Sequence, residues 1–289
     1  AITASMVKEL RETTGAGMMD CKKALAEADG DMTRAVEIIR ENGQAKVEKK
    51  AGRIAAEGLV TAIVDGDNVG AIVEVNSETD FVAKNQTFQD FVALVAKQAL
   101  TTTAADLDAF LAEKWNADES KTVQDELASQ VAVIGENLKI RRFARVEENN
   151  GFVASYIHMG GKIGVLVEFA FEKAETAQAE SFKTFAHDVA LQVAAVAPIC
   201  ATRDQVPAET VEHEKQIYMA QAAESGKPEA IQEKMAVGRL EKFYKQSVLT
   251  EQEFIKDSSL TIKKYAEQVS KELGDTITVV AFDRLVRGE

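Results

Sequence analysis

Apolar and polar positions alternate with two different periods along this chain, and the switches between them mark out its elements. The first fifty residues carry the helical period. Met6, Val7 and Leu10 share one face behind Thr3, a residue suited to an N-cap, and Thr14-Gly15-Ala16-Gly17 breaks the run. A second helix is predicted from Met18 to Ala28, ending at Asp29-Gly30. A third follows Asp31, with Met32, Ala35, Val36 and Ile39 on one stripe and Asn42-Gly43 as its stop. Lys46 to Arg53 then reads as a basic linker. Three helices this short enclose only a small core, and such units commonly serve as docking modules.

Further along, the period drops to two. GLVTAIV at 58–64 and GAIVEV at 70–75 read as strands about the turn signal Asp65-Gly66, and a helix-period run follows. The pattern then recurs. Gly70-Ala71-Ile72-Val73-Glu74-Val75 matches Gly164-Val165-Leu166-Val167-Glu168-Phe169 at an offset of 94 residues. Phe88, Phe91, Val95-Ala96 and Gln98 match Phe182, Phe185, Val189-Ala190 and Gln192 at the same offset. GFVASYI at 151–157 parallels 58–64 one residue out of step, with Gly160-Gly161 in the place of the turn. Each copy therefore predicts strand, hairpin turn, strand, loop and helix.

The remaining segments are less regular. Residues 104–134 predict one or two connecting helices, and Leu138 to Val146 a strand. Residues 208–224 and 228–247 flank Ser225-Gly226-Lys227-Pro228 and carry the sparse stripe Val211, Ile217, Tyr218, Ile231, Met235, Phe243. That arrangement predicts a protruding antiparallel helical hairpin. A helix over 259–273 and a strand from Thr276 to Leu285, able to join the second half's sheet, follow. The expected fold is α+β and multidomain. It has a three-helix unit at 1–52, a core subdomain at 53–147, and a second at 148–200 that 249–289 completes around a hairpin insertion at 201–248.

Composition narrows the function classes. The net charge of −13 weighs against nucleic-acid binding, which draws its affinity from Lys and Arg contacts to phosphate. No apolar run of about 18 residues exists, so no membrane helix is expected. Cys21 and Cys200 show no metal-site spacing, and AITASMVKEL lacks the features of a signal or transit peptide, which predicts a cytoplasmic protein. His158, His187 and His213 pair neither with one another nor with cysteine at ligand spacing. HMGGKIG at 158–164 lacks phosphate-loop spacing and leads into a strand, so it reads as a hairpin turn. No catalytic residue, metal ligand or cofactor site is expected.

Two apolar features stand apart. Adjacent Met18 and Met19 cannot both face one core, and methionine suits adaptable contact surfaces, so core packing and partner contact are both open. The second feature is Thr79-Asp80-Phe81-Val82, at the passage from strand to helix. The second copy makes the same passage with Lys173-Ala174-Glu175-Thr176, so the unit does not need an aromatic there. Phe81 either covers a core edge behind a plain N-cap or stands exposed for a partner's pocket.

LRETTGAGMMDCKKAL at 10–25 and EVNSETDFVAKN at 74–85 are similar to the two signature segments of the bacterial elongation factor Ts family. The resemblance continues through IGENLKIRRFARVE at 134–147, SYIHMGGKIGVLVEF at 155–169 and SGKPEAIQEKMAVGRLEKFYKQSVLTEQEFIKD at 225–257. It implies a guanine-nucleotide exchange factor for the translational GTPase elongation factor Tu, acting by binding rather than as an enzyme, with no cofactor of its own. The partner would be bound in its GDP-bound and nucleotide-free states. The resemblance also implies a ubiquitin-associated-like N-terminal domain, two core subdomains and a coiled-coil protrusion able to mediate self-association. Thr79, Asp80, Phe81 and Val82 match the segment that enters the partner, with Phe81 as a wedge and Asp80 disturbing the polar network around the partner's magnesium. Arg11, Met18, Met19 and His158 match further partner contacts. Met159 stands where the family often has glycine.

Overall fold

The computed structural model describes residues 1–289. Its first three helices are α1 (Ala4–Thr14), α2 (Met18–Glu27) and α3 (Met32–Lys50). Thr3 caps α1 by accepting from the Met6 amide at 3.2 Å, and Gly15 ends it in the left-handed conformation that glycine adopts without strain. Val7, Leu10, Cys21, Ala24, Leu25, Ala35 and Ile38 form the buried core of the unit. Burial pushes the Cys21 thiol above its ordinary pKa, as expected of a packed, inert cysteine.

The third helix runs further than its sequence predicts. It passes through Asn42-Gly43 and takes in most of the expected basic linker. Gly43 is buried against the backbone of Ala128, in helix α7 (Val123–Ile134), so packing at the crossing offsets the roughly 1 kcal/mol that glycine costs a helix. Lys46 pairs with Asp20 at 3.1 Å, and Lys50 donates to the Gly135 carbonyl at 2.6 Å. These lysines therefore fasten helices together.

The repeat is complete and longer than the matched segments. In the first copy, β1 (Glu57–Asp65) and β2 (Val69–Ser77) form a hairpin, the single turn α4 (Asp80–Ala83) leads to α5 (Gln86–Thr101), and β5 (Lys139–Glu147) adds to β2. In the second, β6 (Gly151–His158), β7 (Ile163–Ala170), α8 (Glu180–Val196) and β10 (Thr278–Val286) take the same places, and both sheets are antiparallel with the same strand order. Each copy also holds a small hairpin, missed by reading 104–134 as helices alone, followed by a helix that the sequence did predict. These are β3 (Lys114–Trp115), β4 (Asp118–Thr122) and α7, matched by β8 (Glu253–Phe254), β9 (Asp257–Thr261) and α11 (Ile262–Leu273). β4 and β9 are short and polar, and β3 and β8 have two residues each, so no apolar alternation betrays them. Here the offset has grown to 139 residues, because the helical hairpin α9 (Ala208–Ala223) and α10 (Glu229–Ser247) interrupts the second copy. A fixed 94-residue comparison therefore loses the match. The short α6 (Leu107–Ala112) occupies the corresponding stretch of the first copy.

One buried glutamine locks each small hairpin to the main helix. Gln98 on α5 donates to the Lys114 carbonyl at 3.1 Å and accepts from the Asn116 amide at 2.8 Å. Gln192 on α8 donates to the Glu253 carbonyl at 3.0 Å and accepts from the Ile255 amide at 2.9 Å. Buried backbone groups need partners, and a primary amide satisfies a donor and an acceptor at once.

The two sheets pack face to face through Val60, Ala62, Ile72, Val153 and Leu166. A Cβ on Gly70 would stand 2.7 Å from Val153, and one on its counterpart Gly164 would stand 2.5 Å from Val60. The contact is an approximate twofold, reinforced by Val60 N–H to Gly161 O and Val153 N–H to Asp67 O, both 2.8 Å.

The symmetry fails at one buried charge. Glu74 on β2 is fully buried and accepts from Arg142 at 2.7 Å, Asn76 at 2.9 Å and the Gly288 amide at 2.8 Å. Its counterpart Glu168 faces Ala281 across the strand pair where Glu74 faces Arg142. Burial, with Glu148 and Asp283 nearby, pushes the Glu168 carboxyl up to about 7.

The helical hairpin buries only Ala222, Ala236 and Tyr244 along its length and is rooted by Arg203, which stacks on Tyr244 at 4.1 Å and pairs with Glu241 at 2.9 Å. No helix is long and apolar enough to cross a membrane.

Replacing Gln98 or Gln192 with Leu should cost about 1–3 kcal/mol each in urea unfolding, by orphaning a buried backbone donor and acceptor. Glu168 has a folded-state pKa raised above its ordinary 4.5, so its contribution is fully present below about pH 4.5 and is lost as pH rises to about 7. Glu168→Gln should therefore raise the Tm at pH 8 and leave it unchanged at pH 4, as thermal melts at the two pH values would read.

Candidate functional site

The passage from β2 to α5 is built to turn two residues outward. Thr79 caps α4 by accepting from the Val82 amide at 3.3 Å, and Asn85 caps α5 by accepting from Thr87 at 2.9 Å. Between the caps, Val82 packs against the α5 core and Ala83 is buried, which points the opposite face of the turn at solvent. Asp80 and Phe81 occupy that face. Phe81 is 80% exposed, more than any other phenylalanine in the chain, and Asp80 makes only an exposed pair with Lys84 at 3.3 Å. Such a pair contributes little.

A carboxylate holds the turn from behind. Glu136 Oε1 accepts from the Glu78 and Thr79 amides, each at 3.1 Å, and Oε2 accepts from the Thr79 hydroxyl at 2.8 Å. Ser77 donates to the Thr79 carbonyl at 2.8 Å. Glu78 in turn accepts from the Asn137 amide at 2.7 Å and pairs with Arg53 at 3.5 Å, while Asn137 donates to the Arg53 carbonyl at 2.7 Å. The strand end, the segment after α3 and the turn after α7 thus meet at one point. Neither Glu136 nor Asn137 was singled out from the sequence. The available signal was the pair Gly135-Glu136 after one helix and Gly274-Asp275 after its counterpart, visible only once the longer offset is known.

The other predicted contact residues fall into two further places. Arg11 and Met18 line a groove of about 630 Å³ between α1 and α2, together with Lys8, Glu12 and Lys22. Met18 and Met19 are 49% and 61% exposed, so neither serves the helical core. His158 ends β6, half-buried, with Nδ1 2.9 Å from the Tyr156 hydroxyl. After it, Met159 takes a positive φ of 50°, the left-handed conformation where glycine would be unstrained. The Gly160-Gly161-Lys162 stretch turns one strand into the next, with no helix N-terminus to hold a phosphate. Ile157, Gly160 and Gly161 share a groove with Leu59 and Gln89, and Gln89 donates to the Ala83 carbonyl at 3.3 Å. The groove beside the hairpin tip thus reaches a side chain that bonds to the Phe81 turn. His187 and His213 are exposed on their helices, and no group of three acidic, His or Cys side chains is placed to hold a metal.

Comparison with known proteins settles the lineage. A family model described as Elongation factor TS matches residues 78–289. The chain is 49% identical over 290 residues to Elongation factor Ts of Trichlorobacter lovleyi, covering 100% of this chain and 93% of that protein. It is likewise 49% identical over 289 residues to Elongation factor Ts of Clostridium botulinum and 50% identical over 289 to that of Clostridium kluyveri, with the same coverage. The chain belongs to the elongation factor Ts family. Its work is therefore in the elongation stage of protein synthesis. The family match begins at Glu78, one residue before the turn that carries Phe81, and the curated elongation factor Ts relatives also align through the N-terminal helices.

Phe81→Ala should change the urea midpoint by no more than about 0.5 kcal/mol equivalent, since the ring leaves water untouched. Phe88→Ala, one turn into α5 and fully buried, should cost about 3–5 kcal/mol in the same titration.

Proposed function

We propose that the chain is a guanine-nucleotide exchange factor for elongation factor Tu. In this reading residues 1–52 dock on the partner through Arg11, Met18 and Met19. The core regions then present Thr79, Asp80, Phe81 and Val82, with His158 as a neighbouring contact. Phe81 inserts between partner side chains, and Asp80 perturbs the polar network around the partner's magnesium. Magnesium bridges phosphates and protein ligands, so displacing it weakens the hold on GDP. No acid, base or nucleophile is required. The factor need only bind the nucleotide-free partner more tightly than the GDP-bound one, and linkage makes the two ligands weaken each other equally.

The observation that carries the reading is an aromatic ring 80% exposed on a turn held rigid from behind. Rigid, solvated aromatics are the usual anchors of protein contacts because they lose little conformational freedom on binding. The second copy supports it by contrast. Ala174 and Glu175 stand exposed there, and the fold is complete without an aromatic.

The test is release of a fluorescent GDP analogue from elongation factor Tu. Wild-type protein should accelerate release, and Phe81→Ala should slow the accelerated rate about tenfold to a hundredfold, the range of an interface anchor. Asp80→Ala should lose less. A wild-type protein that binds the GTPase without speeding release would make it a holding adaptor instead.

A further inference from the structure

We infer that Glu136 is a positioning residue for the Phe81 turn, an inference that rests on the exchange reading. Its two oxygens take three hydrogen bonds from two consecutive residues, Glu78 and Thr79, leaving Thr79 Oγ1 aimed at the Val82 amide. Thr79 is the N-cap of α4, so its orientation sets the axis of a four-residue helix whose second residue is Phe81. A single turn of helix is not self-supporting, because nucleating it fixes several dihedrals for one hydrogen bond. Something outside must hold it, and the only side chain from another element bonded to the turn's N-terminal amides is Glu136. Neighbouring bonds make the anchor itself firm. The residue before it, Gly135, accepts from Lys50 at the end of α3, and Asn137 after it bonds both Glu78 and Arg53.

The repeat supplies an internal control for this role. Asp275 stands at the matching place after α11, accepts from the Glu172 and Lys173 amides at 3.0 and 3.1 Å, and takes the Thr176 hydroxyl. The device is thus a property of the fold. In one copy it presents Asp80-Phe81, and in the other it presents only Ala174-Glu175. Losing Asp275 should loosen the second copy without touching exchange, whereas losing Glu136 should loosen the first copy and slow exchange.

The experiment compares Glu136→Ala, Glu136→Gln and Asp275→Ala in the full-length protein. For each, the rate of fluorescent GDP release from elongation factor Tu is measured against factor concentration, and amide hydrogen exchange at residues 78–83 is read alongside the Tm. Glu136→Ala should speed amide exchange at 78–83 and lower the maximal release rate about tenfold or more, since misplacing a reacting group by an ångström is that costly. The half-saturating concentration should move less than about threefold, because docking through the N-terminal helices is untouched. Glu136→Gln keeps an acceptor for both amides and should recover most of the rate. Asp275→Ala should lower the Tm and leave the release rate within about twofold of wild type. A Glu136→Ala protein that releases GDP as fast as wild type would overturn the inference while leaving the exchange reading intact. So would an Asp275→Ala protein that loses as much rate as Glu136→Ala, since the effect would then be general loosening. If Glu136→Ala does not fold, a Glu136→Gln protein below a tenth of the wild-type rate despite native protection at 78–83 would equally refute it. Wild-type protein that fails to accelerate release at all overturns both.

Discussion

The close approach of the two sheets is the constraint on which the rest depends. Gly70 and Gly164 leave no room for a side chain at the two points where Val153 and Val60 press against the opposite sheet. Any larger residue would push the sheets apart, because well-packed interiors have no free volume to absorb a methyl group. That approach brings the tip of the β6–β7 hairpin against Leu59, where a Cβ on Gly161 would stand 2.8 Å from the side chain.

Duplication explains how the molecule can hold one exposed aromatic on a turn fixed from behind. Both copies solve the same local problems with the same devices: a buried glutamine pinning the small hairpin, and an acidic residue after a helix pinning the strand-to-helix turn. Once the turn is held by a carboxylate from elsewhere, its outward residues are free of structural duty. The first copy uses that freedom for Asp80-Phe81. The second copy has diverged elsewhere, keeping Glu168 on its strand although Ala281 stands where the first copy has Arg142, and accepting the helical hairpin as an insertion.

The N-terminal helices join this arrangement through α3 rather than through a loose tether. The glycine that should have ended the helix is instead its crossing point on α7, and the lysines expected to form a linker reach Asp20 and the Gly135 carbonyl. The turn that ends α7 at Gly135 thus touches the end of α3 and, one residue on, the Phe81 turn.

The hydrophobic periods alone determined the helices of the first fifty residues, the paired hairpins, the helical hairpin and the α+β class, because each depends on which face of a local element must be buried. The contrast between Thr79-Asp80-Phe81-Val82 and its repeat partner, which marked Phe81 as surplus to packing, was likewise legible without coordinates. The true end of α3, the polar strands of the two small hairpins and the second half of the repeat were not. Their causes lie in residues far away in the chain, such as Ala128 beside Gly43 and Gln98 beside Lys114. Only the tertiary structure decided that Phe81 faces water and that Glu136 holds it there. A carboxylate 55 residues from Phe81 leaves no periodic trace, since its bonds are made across space to backbone amides that every sequence has.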